Sequence, residues 1–119
     1  MALDNITESF MRTVSHKRVP LTDDEVYTLV TGVVGSRIRV LKVKISSDTA
    51  AKFTLRSSDN IMFDLHGGAN WGLIECGNAQ DKVPEYICNE GETLTIQPSG
   101  ANIDSSGIDA NIYFHYIVE

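Results

Sequence analysis

Only two cysteines, three prolines and one tryptophan occur among the 119 residues. Two cysteines are too few for the disulfide framework of a small secreted scaffold, and Cys76 and Cys88, eleven residues apart in the intervening sequence, are expected to be reduced thiols. No apolar run approaches the roughly 18 residues needed to cross a bilayer as a helix. The opening Met-Ala-Leu-Asp-Asn-Ile-Thr-Glu-Ser-Phe carries Asp4 and Glu8 and no apolar stretch, so neither a signal peptide nor a myristoylation site is expected. The chain is therefore expected to be made in the cytosol, and the sequon Asn5-Ile6-Thr7 is read as chance. No amphipathic helical period of any length and no repeat of 20 to 50 residues is visible.

Basic residues are scarce after Arg56, where Lys82 stands alone against ten acids, a charge of −9. Up to Arg56, nine basic side chains face six acids, a charge of +3, and the whole chain carries −6. The two halves offer different electrostatic surfaces unless folding interleaves them. At 13.1 kDa, with 42% hydrophobic and 22% charged residues, the length suits one domain with one core. A chain of this size buries roughly 65% of its unfolded surface, enough to fold without staples or metals.

What the chain does have is strand grammar. Residues 1–20 show no sustained period and end at Val19-Pro20, where proline disfavours helix in the preceding residue. They read as an extended arm, with a short helical turn over Glu8 to Val14 as the competing reading. Val26, Thr28 and Val30 then alternate with Tyr27, Leu29 and Thr31 before Gly32 and Gly35. In Ser36 to Ser46, Ile38 and Val40 share one parity while Leu41, Val43 and Ile45 share the other. A strand with one buried face cannot change parity without an inserted residue, so a β-bulge near Val40-Leu41, or burial on both faces, is implied. Lys42 and Lys44 then fall on the wet side.

Phe53 and Leu55, a turn at Ser57 to Asn60, and Ile61, Phe63 and Leu65 predict a hairpin with those apolar residues inward. Gly67-Gly68 precedes Trp71, Leu73 and Glu75. Residues 76–91 read as a long loop with a short strand at Glu85 to Cys88. Thr93 to Gln97 is a strand with Leu94 and Ile96 inward, and Pro98-Ser-Gly100 a turn. In the last strand Ile108, Ala110, Ile112, Phe114, Tyr116 and Val118 occupy one face, and Asp109, Asn111, Tyr113, His115 and Ile117 the other. Eleven residues of unbroken period two predict a central strand with one buried face. Seven or eight strands without a helix predict an all-β fold: a single antiparallel β-sandwich of jelly-roll type over residues 21–119, with an N-terminal arm over 1–20.

Chemistry-bearing motifs are missing from this frame. Cys76, Cys88, His16, His66 and His115 do not fall in local zinc-binding spacings. No G-x-S-x-G elbow or local Cys-His signature accompanies a nucleophile, and Gly32-Val-Val-Gly35 is not a phosphate-binding loop. Asp59, Asp64, Glu75 and Glu85 are read as solubilising acids in preference to a glycosidase pair. The chain is expected to be no enzyme and to need no metal or cofactor. Arg12, His16, Lys17 and Arg18 on the arm, with Arg37, Arg39, Lys42 and Lys44 on one strand, are the only support for nucleic-acid binding. At a pI near 4.9 they are read as a solvated face, or as a surface for an acidic protein partner. Trp71 closes one end of the core or lies in a subunit interface, with a sugar-stacking platform as the alternative.

The order and spacing of Gly35-Ser-Arg-Ile-Arg-Val-Leu-Lys-Val-Lys-Ile-Ser46, Ala50-Ala-Lys-Phe-Thr-Leu-Arg-Ser57, Gly67-Gly68, Gly91-Glu-Thr-Leu-Thr-Ile96 and Gly107-Ile-Asp-Ala-Asn-Ile-Tyr-Phe-His-Tyr116 resemble the small β-sandwich proteins that decorate or cement the capsids of tailed bacteriophages. The resemblance covers residues 24–119, with 77–89 longer than the pattern and the arm outside it. It implies a non-catalytic virion structural protein on the capsid exterior, commonly a homotrimer, seated at junctions of the major capsid protein. Under that reading Phe10, Arg12, His16, Lys17 and Arg18 of the arm dock on the capsid. Trp71, Leu73, Tyr113, His115 and Ile117 are the expected subunit interface. Neither nucleic acid nor membrane is an expected partner. The alternative function is a receptor- or glycan-binding head of a fibre or tail, with Trp71 and Tyr113 as platforms.

Overall fold

A computed structural model describes residues 14–67, the backbone of 72–77, and residues 86–100, 103 and 107–119. Nine strands run β1 (Ser15–Leu21), β2 (Tyr27–Val30), β3 (Ile38–Ser47), β4 (Ala51–Ser57), β5 (Asn60–Gly67), β6 (Gly72–Gly77), β7 (Tyr86–Ile87), β8 (Leu94–Ser99) and β9 (Ala110–Val118). No helix is described. One sheet has the order β1-β9-β3-β6, with the two-residue β7 also on β3, and the other the order β2-β8-β4-β5.

Leaving the short β7 aside, the pairs β1–β9, β2–β8, β3–β6 and β4–β5 are nested like the rungs of one long antiparallel hairpin. Rolling that hairpin brings β3 against β9 and β4 against β8, which produces two four-stranded layers. This is the strand order of a jelly roll. The layers bury one continuous core, in which Leu21, Leu29, Val43, Ile45, Phe53, Leu55, Leu94, Ile96, Ile112 and Phe114 are inaccessible or nearly so. β9 is central, as its unbroken alternation predicts, although Val118 at its end is 45% exposed.

The parity change in β3 is a bulge. Val40 pairs with Tyr116 and Lys42 with His115, so Leu41 is the extra residue, and it too is buried at 1% exposure. Two further bulges insert Leu29 into β2 and Met62 into β5. The second corrects the expected hairpin pattern: the extra Met62 reverses the parity below it, so Phe63 and Leu65 pack on the core while Ile61 is 62% exposed. The turn itself is short, Ser58-Asp59, with Ser58 at φ 51°.

The arm is also corrected. Ser15–Pro20 is extended but not free; it belongs to β1, whose seven residues pair with Tyr116 down to Ala110 of β9. Its core-facing contribution is small, Leu21 and the half-buried Val19, because it is an edge strand. The Pro98-Ser99 pair expected in a turn forms the end of β8, where Pro98 is buried opposite Phe53. Pairing of β8 with β2 stops at Ile96, so a residue lacking an N–H breaks no ladder bond on that side.

Two glycines are dictated by close backbone approach. A Cβ on Gly32 would lie 2.3 Å from the Gly91 carbonyl oxygen, where the β2–β3 loop crosses the segment before β8. A Cβ on Gly107, at φ +77°, would lie 2.1 Å from the Thr22 carbonyl oxygen.

Candidate functional site

The bulge at Leu41 fixes which side chains of β3 leave the core. Lys42, Lys44 and Ser46 point outward, and the register across the first sheet places them in cross-strand rows with outward residues of β9 and β1. His16, His115 and Lys42 form one row, Arg18, Tyr113 and Lys44 the next, and Pro20, Asn111 and Ser46 the third. Gly77, Glu75 and Leu73 of β6 hold the corresponding backbone register positions.

Within the rows the contacts are specific. The imidazoles of His16 and His115 stack face to face, 3.9 Å between centroids and 5° from parallel. The Arg18 guanidinium lies 5.8 Å from the centre of the Tyr113 ring, and its Nε donates to Oδ1 of Asn111 at 3.1 Å. These contacts hold Arg18 along the sheet and leave Tyr113 40% exposed. Lys42, Lys44, Ser46, Tyr113 and His115 line a groove of about 430 Å³. Around Tyr113 and His115 it continues into a hollow of about 290 Å³ lined also by His16, Lys17 and Arg18. Lys17 lies on the opposite parity and sends its Nζ 2.7 Å to the Leu29 carbonyl, tying the edge of one sheet to that of the other.

Residues assigned to two surfaces by sequence therefore lie on one. His16 and Arg18, expected to dock on a capsid through a free arm, stand beside Tyr113 and His115, expected at a subunit interface. Pairing of β1 with β9 is what joins them. Ile117 is half-buried and pairs with Arg39, outside the three rows, where Arg39 forms an ion pair with Glu119. Leu73 is on the same sheet only as a register position. Phe10, Arg12 and Trp71 lie outside the described residues. Sequence reading weighed Lys42 and Lys44 only as part of a basic strand and passed over Asn111 as a member of a site; their outward parity was legible, their neighbours were not.

The outer surface of the second sheet is internally paired. Thr54 Oγ1 donates to Asp64 Oδ1 at 2.7 Å, Arg56 Nη1 to Gln97 Oε1 at 2.7 Å, and Gln97 Nε2 to the Asp24 carbonyl at 3.1 Å. At one end of the sandwich Glu92 acts as a clasp. Its Oε1 accepts from the buried Ser57 hydroxyl at 2.8 Å and from Asn89 Nδ2 at 2.7 Å, and Asn60 Nδ2 approaches both carboxylate oxygens at 3.4 Å. The Ser57 and Asn89 hydrogen bonds hold the Glu92 carboxyl below its usual range. Cys88 is a free thiol, 1% exposed, and burial raises its pKa. That environment belongs to an inert core thiol, not a nucleophile. Among the described residues no three His, Cys, Asp or Glu side chains are placed to hold a metal ion, and no helix is long and apolar enough to cross a membrane.

No family model and no curated protein matches the chain. Among solved structures it is similar to a chain of the virus-like particle of the extra small virus of the giant freshwater prawn Macrobrachium rosenbergii, determined by cryo-electron microscopy. The match has 12% identity, covers 87% of this chain and 79% of that one, and has a TM-score of 0.34. That score is too low to establish a shared fold, so the jelly-roll assignment stands on the strand order and register alone.

Proposed function

We propose that the protein is a non-enzymatic virion structural protein that assembles with copies of itself and decorates a bacteriophage capsid at junctions of the major capsid protein. The observation that carries this reading is the open cationic face of the first sheet, built from strands at both ends of the described chain on a jelly-roll frame. A rigid, shallow, charged surface of cross-strand rows suits docking of protein on protein, where charge steers encounter and fixes register. Many copies on one shell act together, so modest affinity per copy suffices to cement it. With His16 and Arg18 committed to the sheet, Phe10 and Arg12 are the arm residues left for the shell. The chain acts on the particle exterior, with no nucleic acid or membrane partner.

Cosedimentation with assembled capsids tests the reading. Binding that saturates at a fixed number of copies per particle is expected, and a chain that stays in the supernatant at every concentration overturns it. A glycan-binding head is the second reading, favoured by the exposure of Tyr113 over the groove. Binding on a glycan array that Tyr113→Ala abolishes, with the fold retained, would establish it instead.

A further inference from the structure

The β1–β2 connection is a preformed acidic knob. The Tyr27 hydroxyl accepts from the backbone N–H groups of Thr22 at 3.1 Å and Asp23 at 3.2 Å, and donates to Asp23 Oδ1 at 2.8 Å. The same carboxylate oxygen accepts from the Glu25 N–H at 3.1 Å, and Gln97 holds the Asp24 carbonyl. With Asp23 consumed internally, Asp24 and Glu25 are exposed at the tip, and their carboxylates make no ion pair among the described residues. The Ile108 N–H, bonded to the Thr22 carbonyl at 2.8 Å, brings the exposed Asp109 to the same end.

The geometry points to a contact between copies in which the Asp24-Glu25 knob of one chain enters the groove between Arg18 and Lys44 of the next. Charge complementarity commits the groove to this occupant. Lys44 lines the open channel of about 430 Å³ on one side of Tyr113, and Arg18 lines the hollow on the other. Among the described residues Arg18 and Lys44 make no ion pair, and Glu75 of β6 is a backbone register neighbour of Lys44. Both partners are fixed before they meet, the knob by Tyr27 and the groove by the Arg18–Asn111 and His16–His115 contacts, so little ordering entropy opposes association. Face and knob are different surfaces, which makes the contact heterologous: repeated, it closes a ring, a trimer among the possible closures, or runs on as an open chain. It leaves the second sheet for other partners.

Charge reversal with rescue tests the contact by sedimentation velocity on the full chain. Wild type is expected to sediment as an oligomer at low salt and to shift toward one chain as ionic strength rises, because exposed ion pairs are screened. Arg18→Glu with Lys44→Glu, and separately Asp24→Lys with Glu25→Lys, are each expected to weaken association roughly tenfold or more. An equimolar mixture of the two variants recovers association between unlike chains, since the reversed face of one meets the reversed knob of the other and the native knob of the first meets the native face of the second. Strict alternation lets even-numbered rings or open chains complete, and an odd ring does not close. Circular dichroism and thermal unfolding confirm that each variant is folded, and Lys44→Gln with Glu25→Gln offers a milder pair if the reversals destabilise the sheet. A wild-type chain that remains monomeric at high concentration and low salt overturns the proposal. Association of both reversed variants at wild-type strength, or failure of the mixture to recover, overturns it as well. A monomeric wild type that binds poly-glutamate through Lys44 assigns the groove to a separate acidic partner. The contact does not depend on the virion reading: a chain that self-docks by this test and ignores capsids refutes that reading alone.

Discussion

His16 on the first strand and His115 on the last lie in a face-to-face stack, their rings 3.9 Å apart across an antiparallel pair. Cross-strand pairs of this kind contribute roughly 0.2 to 1 kcal/mol beyond alanine. A double-mutant cycle of His16→Ala and His115→Ala, followed by urea unfolding at neutral pH, should return a coupling energy within that range. Additive single effects would show that the stack is only a packing coincidence.

β1 behaves as part of the sandwich and not as a detachable arm. Truncation through Leu21 removes a fully buried leucine and uncovers the edge of β9. The truncated chain should unfold at markedly lower denaturant and aggregate through the newly open edge. A truncated chain as stable and soluble as the full one would return Ser15–Leu21 to the role of a dispensable arm.

Gly32→Ala and Gly107→Ala should each destabilise by about 1 to 3 kcal/mol or more, because each new methyl would overlap a backbone oxygen. Gly35→Ala gives the contrast. Its Cβ meets nothing within 4 Å, so its cost is confined to the strain of φ +84°. Thermal midpoints for the three variants rank these effects, and a Gly35→Ala loss larger than that of Gly32→Ala would contradict the close approach.

Acid should loosen the Glu92 clasp. The folded-state pKa of Glu92 is depressed from 4.5, so its contribution is present above the unfolded-state value and lost as the pH falls through the folded-state one. Glu92→Gln should therefore lower the thermal midpoint at pH 7, with the gap from wild type closing below about pH 4.5. A gap that stays constant down to pH 3 would show that the carboxylate charge contributes nothing.

Much of the sandwich was legible because its central strands carry strict alternation. The core face of β9 followed from parity, and parity narrowed β3 to a bulge near Val40-Leu41 or burial on both faces, between which the register with β9 decides for the bulge. The Met62 bulge escaped because Ile61, Phe63 and Leu65 alternate perfectly in sequence and only the pairing with β4 shows the slip. β1 escaped for the opposite reason. Ser-His-Lys-Arg-Val-Pro-Leu has two core residues, and Lys17, on their parity, carries its charge out to the Leu29 carbonyl. The site was visible as fragments. Lys42 and Lys44, and Tyr113 and His115, read as outward strand residues and His16 and Arg18 as arm residues, but their assembly is a matter of register between strands far apart in sequence, which one-dimensional pattern does not encode.

The nesting of the first strand against the last also sets a schedule for the molecule. A growing chain has Lys42 and Lys44 early, yet the surface they share with Arg18 and His16 has no middle strand until β9 emerges. Closing so long a span makes folding slow compared with local hairpins such as β4–β5. The knob waits as well, since Gln97 of β8 and Ile108 beside β9 hold it and β1 and β2 pair with those late strands. If copies dock as proposed, both surfaces of the contact are completed only once β8 and β9 have paired.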